Sequence, residues 1–180
     1  MGIEVAKNLD KYIKAREPDY EAGKIERILK GSTKMTGRLL HYFPVEEKDI
    51  DPNVKWCGWH NDHGTLTGLC SAIYIDNDGK EVSRDKVEDD KSGLFAMNRD
   101  HEVVKIRIPP HSLAFQIGES GQIHSGGLLK ATPHCVISNP KTTGISRNTF
   151  ACFLEPNFEE IMNTPNGVSD KVYKLSLIHI

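Results

Sequence analysis

At 180 residues, with 38% hydrophobic and 27% charged side chains, the chain has the composition of one folded domain and not of a disordered, collagenous or membrane-spanning segment. Its 23 basic and 25 acidic residues leave a net charge of -2, without the basic excess that a nucleic-acid-binding surface carries. No apolar run nears the ~18 residues of a spanning helix, and the opening MGIEVAKNLDKYIK lacks an apolar leader core. The expectation is therefore a cytoplasmic protein with neither a nucleic-acid nor a membrane partner.

Val5, Leu9, Tyr12 and Ile13, then Ile25, Ile28 and Leu29 up to a stop at Gly31, keep helical spacing and predict two short helices. From Met35 the period changes. MTGRLLHYF, VKWCGWH, LTGLCSAIYI, GLFAM, VVKIRI, SLAFQI, HCVIS and TFACFL are short apolar or alternating runs separated by Gly, Pro, Asn and Asp. Many short strands without helices alternating between them predict a mainly β jelly roll behind N-terminal helices, not a parallel Rossmann-type sheet.

The charged excursion IDNDGKEVSRDKVEDDKSG reads as an inserted, solvated loop over about 76–92, with a hairpin turn at Asp78-Gly79. Asp76, Asp78 and Gly79 match a calcium loop only in part, because Tyr74 would occupy the first ligand position. Cys57, Cys70, Cys135 and Cys152 lie far apart, form no Cys-x-x-Cys pair and read as free thiols.

His60 and Asp62 stand two apart at the end of a predicted strand, so an imidazole and a carboxylate share one face. His134 opens a later strand that a jelly roll can bring alongside. Two histidines and one aspartate make a facial triad, a ligand set that leaves positions on an iron(II) ion open to substrate and oxygen. Farther on, Arg147 and Thr149 repeat the two-residue spacing and place a guanidinium and a hydroxyl on one face, a natural fork for a carboxylate.

These residues carry a resemblance. HNDHGTLTGL resembles the His-x-Asp-x-Gly-x-Leu-Thr segment of the iron(II)/2-oxoglutarate-dependent dioxygenases related to isopenicillin N synthase. GGLLKATPHCVISNP resembles their distal-histidine segment, SRNTFACFLEP their Arg-x-Ser strand, and RIPPHSLAFQIGE the stretch before the distal histidine. The likeness runs in order from about residue 35 to 157.

The resemblance implies a double-stranded β-helix core over 35–157, preceded by a helical segment (1–34) that is the remnant of a larger N-terminal region and followed by a tail (158–180). It implies catalytic iron(II) held by His60, Asp62 and His134, and 2-oxoglutarate as cosubstrate with its distal carboxylate on Arg147 and Thr149. It further implies O2-dependent oxidation, by hydroxylation or desaturation, of a small organic substrate. Succinate and CO2 would be released, and ascorbate would act as a supporting reductant. RLLHYFPV aligns with a strand that in relatives carries an Asn-x-Tyr pair near the cosubstrate, with His41 and Phe43 at those places.

Other readings stay open at this point. His124 either lines the substrate side of the pocket or is a plain hydrogen-bonded histidine, and Trp56 and Trp59 are core residues or substrate contacts. A zinc set of Cys57, His60, His134 and Cys135 would leave Asp62 and Arg147 unused. A non-catalytic jelly roll that binds a metal or small molecule is the alternative to an enzyme, and oligomeric state is not legible.

Overall fold

The computed structural model describes residues 1–46, 48, 55–138 and 140–165; the tail expected over 158–180 therefore lies mostly outside the described residues, as does His179. Two helices open the chain, α1 (Gly2–Lys14) and α2 (Lys24–Gly31). They are tied by one side chain. The buried Asp10 carboxylate accepts hydrogen bonds from Tyr20 Oη (2.5 Å) and from the backbone N–H groups of Ile25 (3.0 Å) and Glu26 (2.9 Å), so α1 caps the orphan donors at the start of α2.

Among the described residues ten strands follow, with two short helices among them: β1 (Met35–Tyr42), β2 (Lys55–His60), β3 (Leu66–Cys70), β4 (Ile73–Asp76), β5 (Glu81–Val82), α3 (Arg84–Val87), β6 (Gly93–Met97), β7 (Val103–Ile106), β8 (Leu113–Ile117), α4 (Glu119–His124), β9 (His134–Ile137) and β10 (Ile145–Leu154). One antiparallel sheet runs β5-β4-β10-β3-β8, with β1 on the other edge of β10; the second runs β2-β9-β6-β7. β10 is the spine of the larger sheet. It carries β1 along residues 147–154, while β4 and β3 share its opposite edge at 145–148 and 151–154.

Between the sheets, Leu94 and Val136 of the smaller one meet Tyr42, Leu69 and Ala114 of the larger. Strand pleating sends alternate residues to the other side. There Leu66, Phe115, Ile117, Cys152 and Leu154 pack under Ala6, Ile13, Ile25 and Leu29 of the helices, so the N-terminal segment shares a core with the sheet it covers. This is a jelly roll, as the sequence predicts.

LTGLCSAIYI is two strands and not one, because β3 and β4 meet different halves of β10. The charged excursion turns at Gly79 (φ 78°), but it is not a wholly solvated loop. Val87 is fully buried, and Glu88 accepts from Tyr74 Oη (2.5 Å) and pairs with Lys105 (3.3 Å). Asp76 Oδ1 accepts from its own backbone at Asp78 (3.0 Å) and Lys80 (2.9 Å), which makes the segment an Asx-type turn and explains the partial calcium pattern. All four cysteines are free.

Candidate metal centre

β2 and β9 are neighbours in the smaller sheet, and their register places His60 opposite His134. The two imidazole centroids lie 4.2 Å apart. Asp62 comes from the turn after β2, and its Oδ1 lies 3.7 Å from His60 Nε2 and 3.8 Å from His134 Nε2. One donor atom from each residue falls within 4.8 Å of the other two, and no further group of this kind occurs among the described residues.

Hydrogen bonds aim these donors. His60 Nδ1 donates to the Gly58 carbonyl (2.8 Å) and His134 Nδ1 to the Thr132 carbonyl (2.9 Å), which turns each Nε2 toward Asp62. Asp62 Oδ2 accepts from Thr67 Oγ1 on β3 and Gln116 Nε2 on β8, both at 2.5 Å, and Oδ1 is left facing the imidazoles. The Gln116 nitrogen also stands 3.2 Å from His134 Nε2.

The loop bearing Asp62 is clamped from α4. Glu119 accepts from Asn61 Nδ2 (3.3 Å) and His63 Nδ1 (2.7 Å), the two neighbours of Asp62, while its backbone N–H donates to the Asp62 carbonyl (2.8 Å). Closure to this distance requires glycine before it. A Cβ at Gly118 would stand 2.1 Å from the Gly64 carbonyl oxygen and 2.9 Å from that of Asp62.

Burial holds the His134 imidazole below its ordinary pKa and favours the neutral, ligating form. His60 is pushed up to about 9, first by its hydrogen bond with Cys57, whose Sγ lies 3.7 Å from Nδ1, with burial opposing. A divalent cation held here would compete with a proton for the His60 imidazole.

The triad opens on a cavity of about 490 Å³ that is also lined by Tyr42, Trp59, Arg147, Thr149 and Phe153. Arg147 is 5% exposed, and its Nε and Nη1 have no hydrogen-bond partner. Donors buried without partners are costly, and a guanidinium all the more so. Thr149 shares its inward face, but the Thr149 hydroxyl donates to the Cys70 carbonyl at 3.1 Å, so the expected two-pronged fork is a guanidinium beside a hydroxyl already engaged in the sheet.

The alignment of His41 and Phe43 with the Asn-x-Tyr pair is one residue out of phase. Both point outward, His41 to Asn148 Oδ1 (2.6 Å) and Phe43 to solvent at 74% exposure. The inward residues are Leu40 and Tyr42, and Tyr42 stands opposite Arg147 in register with its ring 5.2 Å from the guanidinium carbon. The alternation Arg38, Leu40, Tyr42 was the signal for this placement.

His124 is the plain hydrogen-bonded histidine of the two readings. It is fully buried outside the cavity with Nε2 3.3 Å from the Ile161 carbonyl, and desolvation lowers its pKa to about 4. Trp59 lines the cavity, whereas Trp56 packs on Tyr42 (centroids 5.9 Å) and donates from Nε1 to the Phe43 carbonyl. The zinc alternative does not assemble, because Cys135 is buried outside the cavity.

No protein-family model and no curated protein matches the sequence. Solved structures do. A Caulobacter crescentus protein provisionally named a 2OG-Fe(II) oxygenase family protein superposes over 91% of this chain and 45% of its own, with TM-score 0.66 and 24% identity. The fold is that of the 2OG-Fe(II) oxygenases. The Arabidopsis thaliana dioxygenase for auxin oxidation 1, in its 2-oxoglutarate complex, matches over 76% of this chain and 43% of its own (TM-score 0.55, 24% identity). JOX2 in complex with 2OG, Fe and JA matches over 94% and 43% (TM-score 0.64, 18% identity). The chain thus spans about half, or less, of the length of these 2OG-Fe(II) oxygenase-fold structures.

Proposed function

We propose that this chain is the core of an iron(II)- and 2-oxoglutarate-dependent oxygenase that oxidises a small organic molecule. The observation that carries the reading is the combination of an open His60-Asp62-His134 site with Arg147 buried on the same cavity, two of its donors lacking partners. Two imidazole nitrogens and one carboxylate oxygen suit iron(II), and a buried guanidinium suits a dicarboxylate. Neighbours of the same fold that hold 2OG and Fe support both cofactors.

When bound, iron(II) would activate O2, the oxidant, with 2-oxoglutarate supplying two of the four electrons as it is decarboxylated to succinate and CO2, and the substrate supplying the other two. The chain's own residues do the rest. His60, Asp62 and His134 hold one side of the ion, and Thr67 and Gln116 fix the ligating face of Asp62. Arg147 takes the far carboxylate of the cosubstrate, Tyr42 shapes that end, and Thr149 contributes once its hydroxyl turns from the Cys70 carbonyl. Leu40, Leu69, Val136 and Phe153 keep water from the space between.

The test is succinate release from 2-oxoglutarate with iron(II) and ascorbate, during a mass-spectrometric screen of small metabolites. The proposal expects release that His60→Ala abolishes while the variant stays folded. Tight 2-oxoglutarate and metal binding without succinate under any substrate would instead identify a non-catalytic binding protein.

A further inference from the structure

The cavity carries a second guanidinium. Arg38 lies on β1 two positions before Leu40 and four before Tyr42, so the pleat turns it to the same inward face, and it lines the space that the triad opens on. Register fixes its depth. Arg147 stands at the Tyr42 end of the β1–β10 pair, whereas Arg38 is opposite Ala151, toward Phe153. Phe153 is in turn opposite Thr67 on β3, and Thr67 holds Asp62. The Arg38 guanidinium carbon sits 4.8 Å from the centroid of the Phe153 ring, which places it near the level of the triad and away from Arg147.

This cation is available. Among the described residues Arg38 makes no ion pair and no hydrogen bond, and Glu155, a carboxylate on the same cavity, lies beyond the 4.0 Å of an ion pair with it. Stacking on Phe153 restrains the guanidinium plane without consuming its N–H donors. Arg38 is also the more exposed of the two arginines. A pocket that is largely apolar with a few placed polar groups orients its ligand by those groups.

We propose that Arg38 is the specificity-determining residue for the oxidised substrate, and that this substrate is a small monocarboxylate whose carboxylate is gripped by Arg38 while its apolar body lies against Leu40, Trp59 and Phe153. The proposal rests on the oxygenase reading, in which Arg147 is occupied by 2-oxoglutarate and Arg38 is the cation left over. Glu155 sets the competing outcome, since an amine would prefer it.

The experiment titrates the full chain, loaded with Mn(II) and saturating 2-oxoglutarate under anaerobic conditions, with benzoate, phenylacetate and 4-phenylbutyrate and with the matched primary amides and amines, by calorimetry. At least one acid should bind tenfold or more tighter than its amide. Arg38→Gln should erase that difference, and Arg38→Lys should restore part of it as a point charge without the bidentate geometry. Equal binding of acids and amides, preference for the amines, an acid preference that survives in Arg38→Gln, or failure of every acid to bind would each overturn the proposal. Binding of 2-oxoglutarate to the parent, measured first, separates the outcomes. If it binds and the acids behave otherwise, only the Arg38 assignment falls; if it does not bind, the oxygenase reading falls.

Discussion

Replacing Arg147 by methionine should move stability and cosubstrate binding in opposite directions. The guanidinium is 5% exposed, with Nε and Nη1 unpartnered, so in the ligand-free protein those two donors bear the cost of burial without hydrogen bonds, offset only in part by the Tyr42 ring 5.2 Å away. An apolar side chain of similar length removes that cost, and the expected stability of the ligand-free variant is equal to or above the parent's, by up to about 1–3 kcal/mol. Binding should collapse. Two charge-assisted hydrogen bonds to a carboxylate are worth roughly 1.5–3 kcal/mol each, so the loss of about 3–6 kcal/mol raises the dissociation constant for 2-oxoglutarate at least a hundredfold. Thermal denaturation without ligand reads the first quantity and anaerobic calorimetry with Mn(II) present reads the second. A variant destabilised like an ordinary core truncation, with 2-oxoglutarate binding intact, would show that Arg147 is a packing residue and would refute the reasoning.

The clamp on the ligand loop predicts that Glu119→Ala, which frees Asn61 and His63, weakens Mn(II) binding about 10- to 100-fold; unchanged affinity by calorimetry would remove Glu119 from the site's support. Asp10→Ala strips three hydrogen bonds from a buried carboxylate, and unfolding in urea should show a loss of about 3–5 kcal/mol without a change in metal affinity. His124 supplies a pH dependence. Its folded pKa of about 4 lies below the ordinary 6.5, so the unfolded chain takes up the proton first as pH falls. Its contribution to stability is intact above pH 6.5 and is lost between 6.5 and about 4, by up to about 3 kcal/mol. His124→Gln should flatten that part of the stability profile, and an unchanged slope in acid titrations would contradict the assignment.

The clustering of the three candidate ligands was legible because the chemistry constrains residue type and spacing at once. His60 and Asp62 announce themselves by separation, and His134 by opening a strand that the fold must bring near. Arg147 was legible for the same reason. Its hydroxyl partner was less so, because whether Thr149 faces a ligand or the Cys70 carbonyl is decided by a neighbouring strand, not by local sequence. The phase of β1 is weakly marked in the sequence because both faces offer large side chains, Leu39 and Phe43 on one and Leu40 and Tyr42 on the other, so the alternation from Arg38 is a faint guide to which side is in. α4 was missed as well. Its ESGQIH has weak helical propensity, and what forms it is the docking of its first amides on the carbonyls of Asp62, His63 and Gly64. The folded role of Glu88 was hidden inside a segment whose charge reads as solvated.

The placement of the three candidate ligands and their supports has a mechanical consequence. His60 and His134 ride on β2 and β9 of one sheet, whereas Asp62 is gripped by Thr67 and Gln116 from β3 and β8 of the other. An ion shared by all three would therefore act as a rivet through the sandwich, joining two layers that otherwise meet here through apolar contact and the 3.2 Å approach of Gln116 Nε2 to His134 Nε2. Loading such an ion would tie the opening of either sheet to that of its partner, and the mouth of the cavity would stiffen as one frame. A substrate would then be met by walls whose spacing the metal had already set.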